Sequence, residues 1–300
     1  MKISSKRVRK NKMVAVFAAI ICAIALIVII ITLRMNMPDT HHVLTVAHRG
    51  GAAVAPENTL AAFKAGIDAG ADALELDIHL SRDGAIMVMY DPLLERTTNG
   101  IGALTEYTRA ELEQFNASSK YSGTGVYAAQ QIPTLEDVLH LLKSETREVG
   151  LQVEIKLKAD ERRYAGIEEK LISMLKAYDL LDRTTVISFD FPTLMTINSL
   201  EPSLKRGALI SKKYMTAVGS KGPSFVASHM EELAVDYVGV NFNYLSANLY
   251  KALRDKKLGV GVWTVNDANS MQKFRLMGVD FITSDNPSLL VQENGKELET

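Results

Sequence analysis

Nine short apolar runs alternate with amphipathic windows from residue 43 onward, and that stretch is long enough for eight β/α units, which need about 250 residues. No glycine-rich phosphate loop follows the first run, which counts against a nucleotide-binding open sheet. Together these observations predict a (β/α)8 TIM barrel. A doubly wound open sheet is the alternative that periodicity alone does not separate.

The elements follow in order. Residues 1–12 are basic, with Lys2, Lys6, Arg7, Arg9, Lys10 and Lys12. From Met13 to Leu33 the chain runs 21 residues without a charge, the length that crosses a hydrocarbon core of about 30 Å. A cleaved signal peptide is the rival reading, but its apolar core is shorter and ends in a small-x-small site that LRMNMPDTHH does not offer. The expectation is an uncleaved transmembrane helix over 13–33 that ties the protein to the cell membrane. The basic flank keeps the N-terminus cytoplasmic and the remainder outside. Residues 34–42 read as a linker and 43–300 as one domain.

Predicted strands are 43–47, 72–78, 86–90, 151–156, 184–188, 206–210, 236–240, 259–265 and 279–283; predicted helices include 58–69, 134–145, 161–178, 191–200, 246–256 and 267–277. In 161–178, Ile167, Leu171, Met174, Leu175 and Tyr178 recur at three- and four-residue spacing, which gives one buried face. Residues 91–133 break the rhythm and read as an insertion over one face of the barrel.

Charge and cysteine content narrow the function. The net charge is −1, but the first 34 residues hold seven bases and no acid, so the rest of the chain is acidic. An acidic body excludes nucleic acid as a sequence-independent partner. The single cysteine, Cys22, excludes disulfide frameworks and zinc ribbons.

Barrel chemistry sits at the carboxyl ends of strands. There the sequence places His48-Arg49, then Glu75 and Asp77 at period two on one face, then Glu154 and Lys156, then Trp263; the 236–240 strand runs into Asn241 and Asn243. Each has a plain reading: edge-strand acids, a structural imidazole, a packed indole, a local ion pair. Taken jointly, three carboxylates and a His-Arg pair converge on one mouth. Clustered carboxylates repel unless a hard divalent cation such as Mg²⁺ or Ca²⁺ sits among them.

These residues lie in recognisable blocks. AHRGGAAVAPENTLAAF, ALELDIHLSRDG and ERTTNG, followed by IPTLEDVL, VEIK, VISFD, VWTVND and GVDFITSDNP, resemble the glycerophosphodiester phosphodiesterases along essentially all of 43–300. The resemblance implies a metal-dependent phosphoric diester hydrolase of lipid metabolism that converts glycerophosphodiesters to sn-glycerol 3-phosphate and an alcohol. It implies Glu75, Asp77 and Glu154 as metal ligands, His48 as acid/base, Arg49 and Lys156 on the phosphate, Trp263 against substrate, and Glu57 in support. The chain departs from the pattern once. Where the family carries a second histidine in a His-Asp pair, this sequence reads Met89-Tyr90-Asp91. A neutral tyrosine donates a proton but is a poor base at pH 7. Tyr90 is therefore a catalytic candidate, and a non-catalytic glycerophosphate-binding barrel acting as sensor or scaffold is the alternative function.

Overall fold

A computed structural model describes residues 42–123 and 127–296. All of these except His42 belong to one compact unit, Val43–Thr300. Eight parallel strands close on themselves: β1 (Leu44–Ala47), β2 (Ala73–Leu80), β4 (Gly150–Ile155), β5 (Thr184–Ser188), β6 (Lys205–Ile210), β7 (Tyr237–Asn241), β8 (Gly259–Trp263) and β9 (Phe281–Ser284). Each pairs with the next, and β1 pairs with both β9 and β2, so the sheet has no free edge. The barrel is the architecture expected, and the open sheet is excluded by the β1–β9 ladder.

Strand β3 (Ile86–Val88) is the exception. It runs antiparallel to β2, because residues 81–85 are far too few for the crossover a parallel partner needs. Around the barrel lie α1 (Leu60–Asp68), α2 (Arg109–Leu112), α3 (Leu135–Ser144), α4 (Ile167–Ala177), α5 (Phe191–Leu200), α6 (Lys212–Val218), α7 (Pro223–Glu232), α8 (Ala247–Asp255), α9 (Ala268–Met277) and α10 (Pro287–Asn294). Helices α2, α6, α7 and α10 fall outside the expected windows. Local chemistry starts and aims these segments. In α3, Thr134 caps the Asp137 amide while Asp137 returns a bond to Thr134, and Leu135, Val138, Leu139 and Leu142 form the buried stripe.

The pleat divides β2 between two environments. Leu74, Leu76 and Ile78 join the core shared with the helices, whereas Glu75 and Asp77 point the other way, into the barrel. The interior floor is built on missing side chains. A Cβ at Gly261 would lie 2.0 Å from the Phe281 ring, and Phe281 meets Tyr237 edge-on at 4.8 Å. Residues 91–133 hold, among the described residues, only α2 and one short helical turn, with Met87, Leu94, Leu104, Leu112 and Ile132 forming a second, smaller core.

One expectation is corrected. The transmembrane helix assigned to 13–33 lies outside the described residues, as do the tail 1–12 and most of the linker. Among the described residues no helix is long and apolar enough to cross a membrane. The longest, α4, has 11 residues where roughly 20 are needed. Localisation at the cell membrane, and partnership with a membrane, are therefore not retained.

Phe281→Ala should empty the space above Gly261 and lower stability by about 3–5 kcal/mol in urea unfolding. A loss under about 1 kcal/mol would mean that the ring does not fill the barrel interior.

Candidate active site

The site begins where β1 ends. His48 to Gly50 form a tight turn in which Arg49 takes φ 51° and Gly50 φ 83°. A Cβ on Gly50 would lie 2.6 Å from backbone atoms of Ala62 and Phe63, so only glycine lets α1 close against this turn. The left-handed Arg49 aims its own amide at the Glu75 carboxylate, 2.9 Å away.

Register brings the acids together. In the parallel β2–β4 ladder Asp77 is the neighbour of Glu154, and Glu75 lies one pleat behind. Oxygens of Glu75, Asp77 and Glu154 all lie within 4.8 Å of one another, and all three residues are buried. Asn58 donates to Asp77 at 2.8 Å; Lys156 donates to Glu154 at 2.8 Å and stands 3.5 Å from the other Asp77 oxygen, Oδ1. That Oδ1 is buried without a hydrogen-bond donor.

The charge balance is uneven. Burial, with Asp77 and Glu154 nearby, raises the Glu75 carboxyl well above the ordinary range. Burial also lifts Glu154 to about 7, against the pull of Lys156. Asp77 would be lifted likewise, but Lys156, Arg49 and Asn58 hold it below its usual value. Three oxygen ligands converging at this spacing, one of them without a hydrogen bond, fit a hard divalent cation, which would replace the protons that burial retains.

His48 faces this cluster from β1. Its Nδ1 meets Asp285 at 2.5 Å and its Nε2 stands 4.0 Å from Glu75. Asp285 is fixed in turn by Asn266, 2.6 Å away, and bonding to His48 lowers its pKa despite burial. Glu57 bonds Arg49 at 2.8 Å and Arg96 through both oxygens, at 2.6 and 2.9 Å. Tyr90 meets the cluster through its ring: the Arg49 guanidinium lies 3.5 Å and the Lys156 ammonium 3.9 Å from the ring centroid. Trp263 is anchored by its indole N–H to the Gly239 carbonyl at 2.9 Å and meets Phe189 edge-on.

A cavity of about 280 Å³ collects His48, Arg49, Glu75, Tyr90, Glu154 and Trp263 on one wall system. Glu57, Asp77 and Lys156 are joined to it by the contacts above. Asn241 and Asn243 bond each other and do not line it. His79, which shares the β2 face with Asp77, is buried between the Tyr164 hydroxyl and the Tyr90 carbonyl, and burial lowers its pKa to about 4. It is a neutral structural ring and not a replacement histidine. Asp285, Asn266, Asn58, Arg96 and Phe189 complete the arrangement without having stood out in the sequence. All five sat inside quoted blocks, as the Asp of TSDNP, the Asn of VWTVND and PENT, the Arg of ERTTNG and the Phe of VISFD.

Buried acids poised for a cation, beside a guanidinium, an ammonium and an Asp-backed imidazole, suit an anionic ester at a barrel mouth; the class is a phosphoric ester hydrolase of the β/α-barrel type. Comparison with known proteins makes this specific. The sequence profile of the glycerophosphoryl diester phosphodiesterase family matches residues 48–289, and the chain belongs to that family. It is 33% identical over 248 residues to the glycerophosphodiester phosphodiesterase of Caldanaerobacter subterraneus subsp. tengcongensis, covering 83% of this chain and 96% of that one. With the Bacillus subtilis glycerophosphodiester phosphodiesterase it shares 28% identity over 297 residues, 94% of this chain and 97% of the relative. Among solved structures, a phosphodiesterase of Oleispira antarctica in complex with the product sn-glycerol-3-phosphate superposes with a TM-score of 0.67 at 25% identity, covering 84% of this chain and 97% of the other. The glycerophosphodiester phosphodiesterase of Thermotoga maritima gives 0.65 at 25% identity, with 84% and 98% covered.

Without metal, Glu154 keeps its proton to about pH 7, against 4.5 for an ordinary glutamate. The native state then binds more protons than the unfolded chain across that window. This contribution to stability is full below 4.5 and is lost as pH rises through about 7. Tm of the metal-free protein should fall between about pH 5 and about pH 8, and Mg²⁺ or Ca²⁺ should restore it at the upper end. A Tm at about pH 8 that ignores both cations would remove the metal assignment.

Proposed function

We propose that this protein hydrolyses glycerophosphodiesters to sn-glycerol 3-phosphate and an alcohol, with a divalent cation, Mg²⁺ or Ca²⁺, held by Glu75, Asp77 and Glu154. The observation that carries the reading is the convergence of these three buried carboxylates, with an Asp77 oxygen that accepts no hydrogen bond, beside the cavity that His48 and Arg49 line. Family membership and the product bound in the Oleispira relative support the substrate class. The catalytic unit is residues 43–300, with 91–133 as its insertion.

A bound cation would supply charge neutralisation for the phosphate. Arg49 and Lys156 add to that neutralisation from two sides of the cluster. Glu57 keeps Arg49 in place, and the Tyr90 ring lies under both cationic groups. Asp285 accepts from His48 Nδ1–H, which leaves Nε2 as the free nitrogen facing the site. The carboxylate also stabilises the imidazolium once His48 takes a proton from the attacking hydroxyl. The Tyr90 hydroxyl is the proton donor to the leaving alkoxide and regains a proton from solvent. Trp263 and Phe189 form an aromatic wall that limits water around the ester.

Full-length protein assayed on glycerophosphodiesters should release sn-glycerol 3-phosphate with Mg²⁺, Ca²⁺ or Mn²⁺. No release above buffer would leave the non-catalytic glycerophosphate-binding reading. His48→Ala should cost about 10²–10⁴-fold in kcat. Asp285→Asn should lower kcat at least about tenfold with little change in KM, since it acts on His48 and not on substrate.

The role of Tyr90 divides into ring and hydroxyl. Tyr90→Phe should lower kcat about tenfold or more with Tm unchanged, whereas Tyr90→His should raise activity. Equal rates for Tyr90→Phe and wild type would remove the phenol from the chemistry and leave the ring contact as its function.

A further inference from the structure

Beside the catalytic cavity lies a second one of about 550 Å³. The two share Glu154, Phe189, Leu209 and Ser211, so the second continues the first past Phe189 toward the β4–β6 side of the mouth. Its further walls are Leu157, Phe191, Tyr214 and Ala217.

Three features set this groove apart. Phe189 is 38% exposed, although the turn that carries it is firmly held: Ser188 bonds the Ile155 carbonyl at 2.9 Å, and Asp190 caps α5 through the Thr193 amide at 3.1 Å. An aromatic ring is thus fixed at the boundary of the two cavities with over a third of it open to solvent. Secondly, α6 is the one α-helix among the described residues that fully buries none of its side chains. Its Tyr214 lies against Phe191 and His229 and flanks the groove, leaving apolar surface half covered. Thirdly, the charged groups at the groove carry no net preference. Lys156 at the inner end is bound to Glu154 at 2.8 Å, Asp190 is engaged by Thr193 and Arg163, and at the open rim Glu161 and Lys213, of opposite sign, stand 4.0 Å apart in solvent. A charged head group gains little from rim charges of opposite sign that water already solvates, whereas an apolar one covers Phe189, Phe191 and Tyr214.

We infer that this groove is the subsite for the alcohol arm of the diester, and that the arm it selects is an uncharged alkyl chain. The inference rests on the phosphodiesterase reading above. The compact cavity under His48 and Trp263, with Gln152 and Thr283 in its walls, receives the polar glycerol arm. With the glycerol arm in that cavity, the other arm of the diester is free to pass Phe189 into the adjoining groove, whose walls are apolar there.

The test compares two substrates that differ in that arm alone, the ethyl and the decyl esters of sn-glycerol 3-phosphate, both assayed as monomers below micelle formation. Wild type should show a kcat/KM at least about tenfold higher for the decyl ester, expressed mainly in KM. Ala217→Trp, which fills the groove from α6, should lower kcat/KM for the decyl ester at least about tenfold more than for the ethyl ester. Glycerophosphocholine serves as the cationic control and should gain nothing over the ethyl ester. Hydrolysis of the ethyl ester with no decyl preference overturns the groove assignment and leaves the phosphodiesterase reading intact. A preference for glycerophosphocholine over both overturns the choice of an uncharged arm. Hydrolysis of none of the three overturns the phosphodiesterase reading and this inference with it.

Discussion

Three carboxylates buried within touching distance of one another govern this structure. Taken out of water, Glu75, Asp77 and Glu154 repel one another and lose hydration, and every strong contact nearby offsets some part of that cost. Lys156 and Arg49 hold Asp77 ionised, the Arg49 amide and Asn58 satisfy two oxygens, and the remaining deficit appears as the raised Glu75 and Glu154 groups. A cluster that favours keeping protons also favours exchanging them for a divalent ion. The left-handed Arg49, the bare Gly50 and the Glu57–Arg96 pair follow from the need to hold one guanidinium against these acids.

A second layer of the same logic fixes the aromatic groups. The ring face of Tyr90 accepts both cations that face the carboxylates. His79 shares the β2 face with Asp77, but the barrel encloses it between Tyr164 and the Tyr90 carbonyl, where burial disfavours a charge. Among the described residues His48 is the one imidazole in the wall of the cavity, and its orientation comes from Asp285 across the β1–β9 seam that closes the barrel. Closure of the sheet and orientation of the imidazole are one structural event.

Much of this was legible along the chain because the signals are local. Alternation of apolar runs with amphipathic windows predicts the barrel, and period-two spacing puts Glu75 with Asp77 and Glu154 with Lys156. The three clustered acids and the HRG turn stand out because charges on apolar strands are conspicuous. The antiparallel β3 is also local in origin, since a turn of five residues permits nothing else. Asp285 was not legible as the partner of His48, because 237 residues separate them and the residue reads as an ordinary turn aspartate. The expected span over 13–33 rested on hydropathy alone and has no counterpart among the described helices.

The sequence by itself determined the elements, the direction in which their side chains alternate and the chemical types available at the strand ends, because each depends on residues within a few positions of one another. Tertiary structure alone decided which of them meet. Asp77 beside Glu154 is a matter of register between β2 and β4, His79 becomes inert through burial, and the Tyr90 ring lies against two cations because Arg49 and Lys156 reach it from the ends of different strands. Distance through space sets charge coupling and desolvation, and closing the barrel is what fixes those distances.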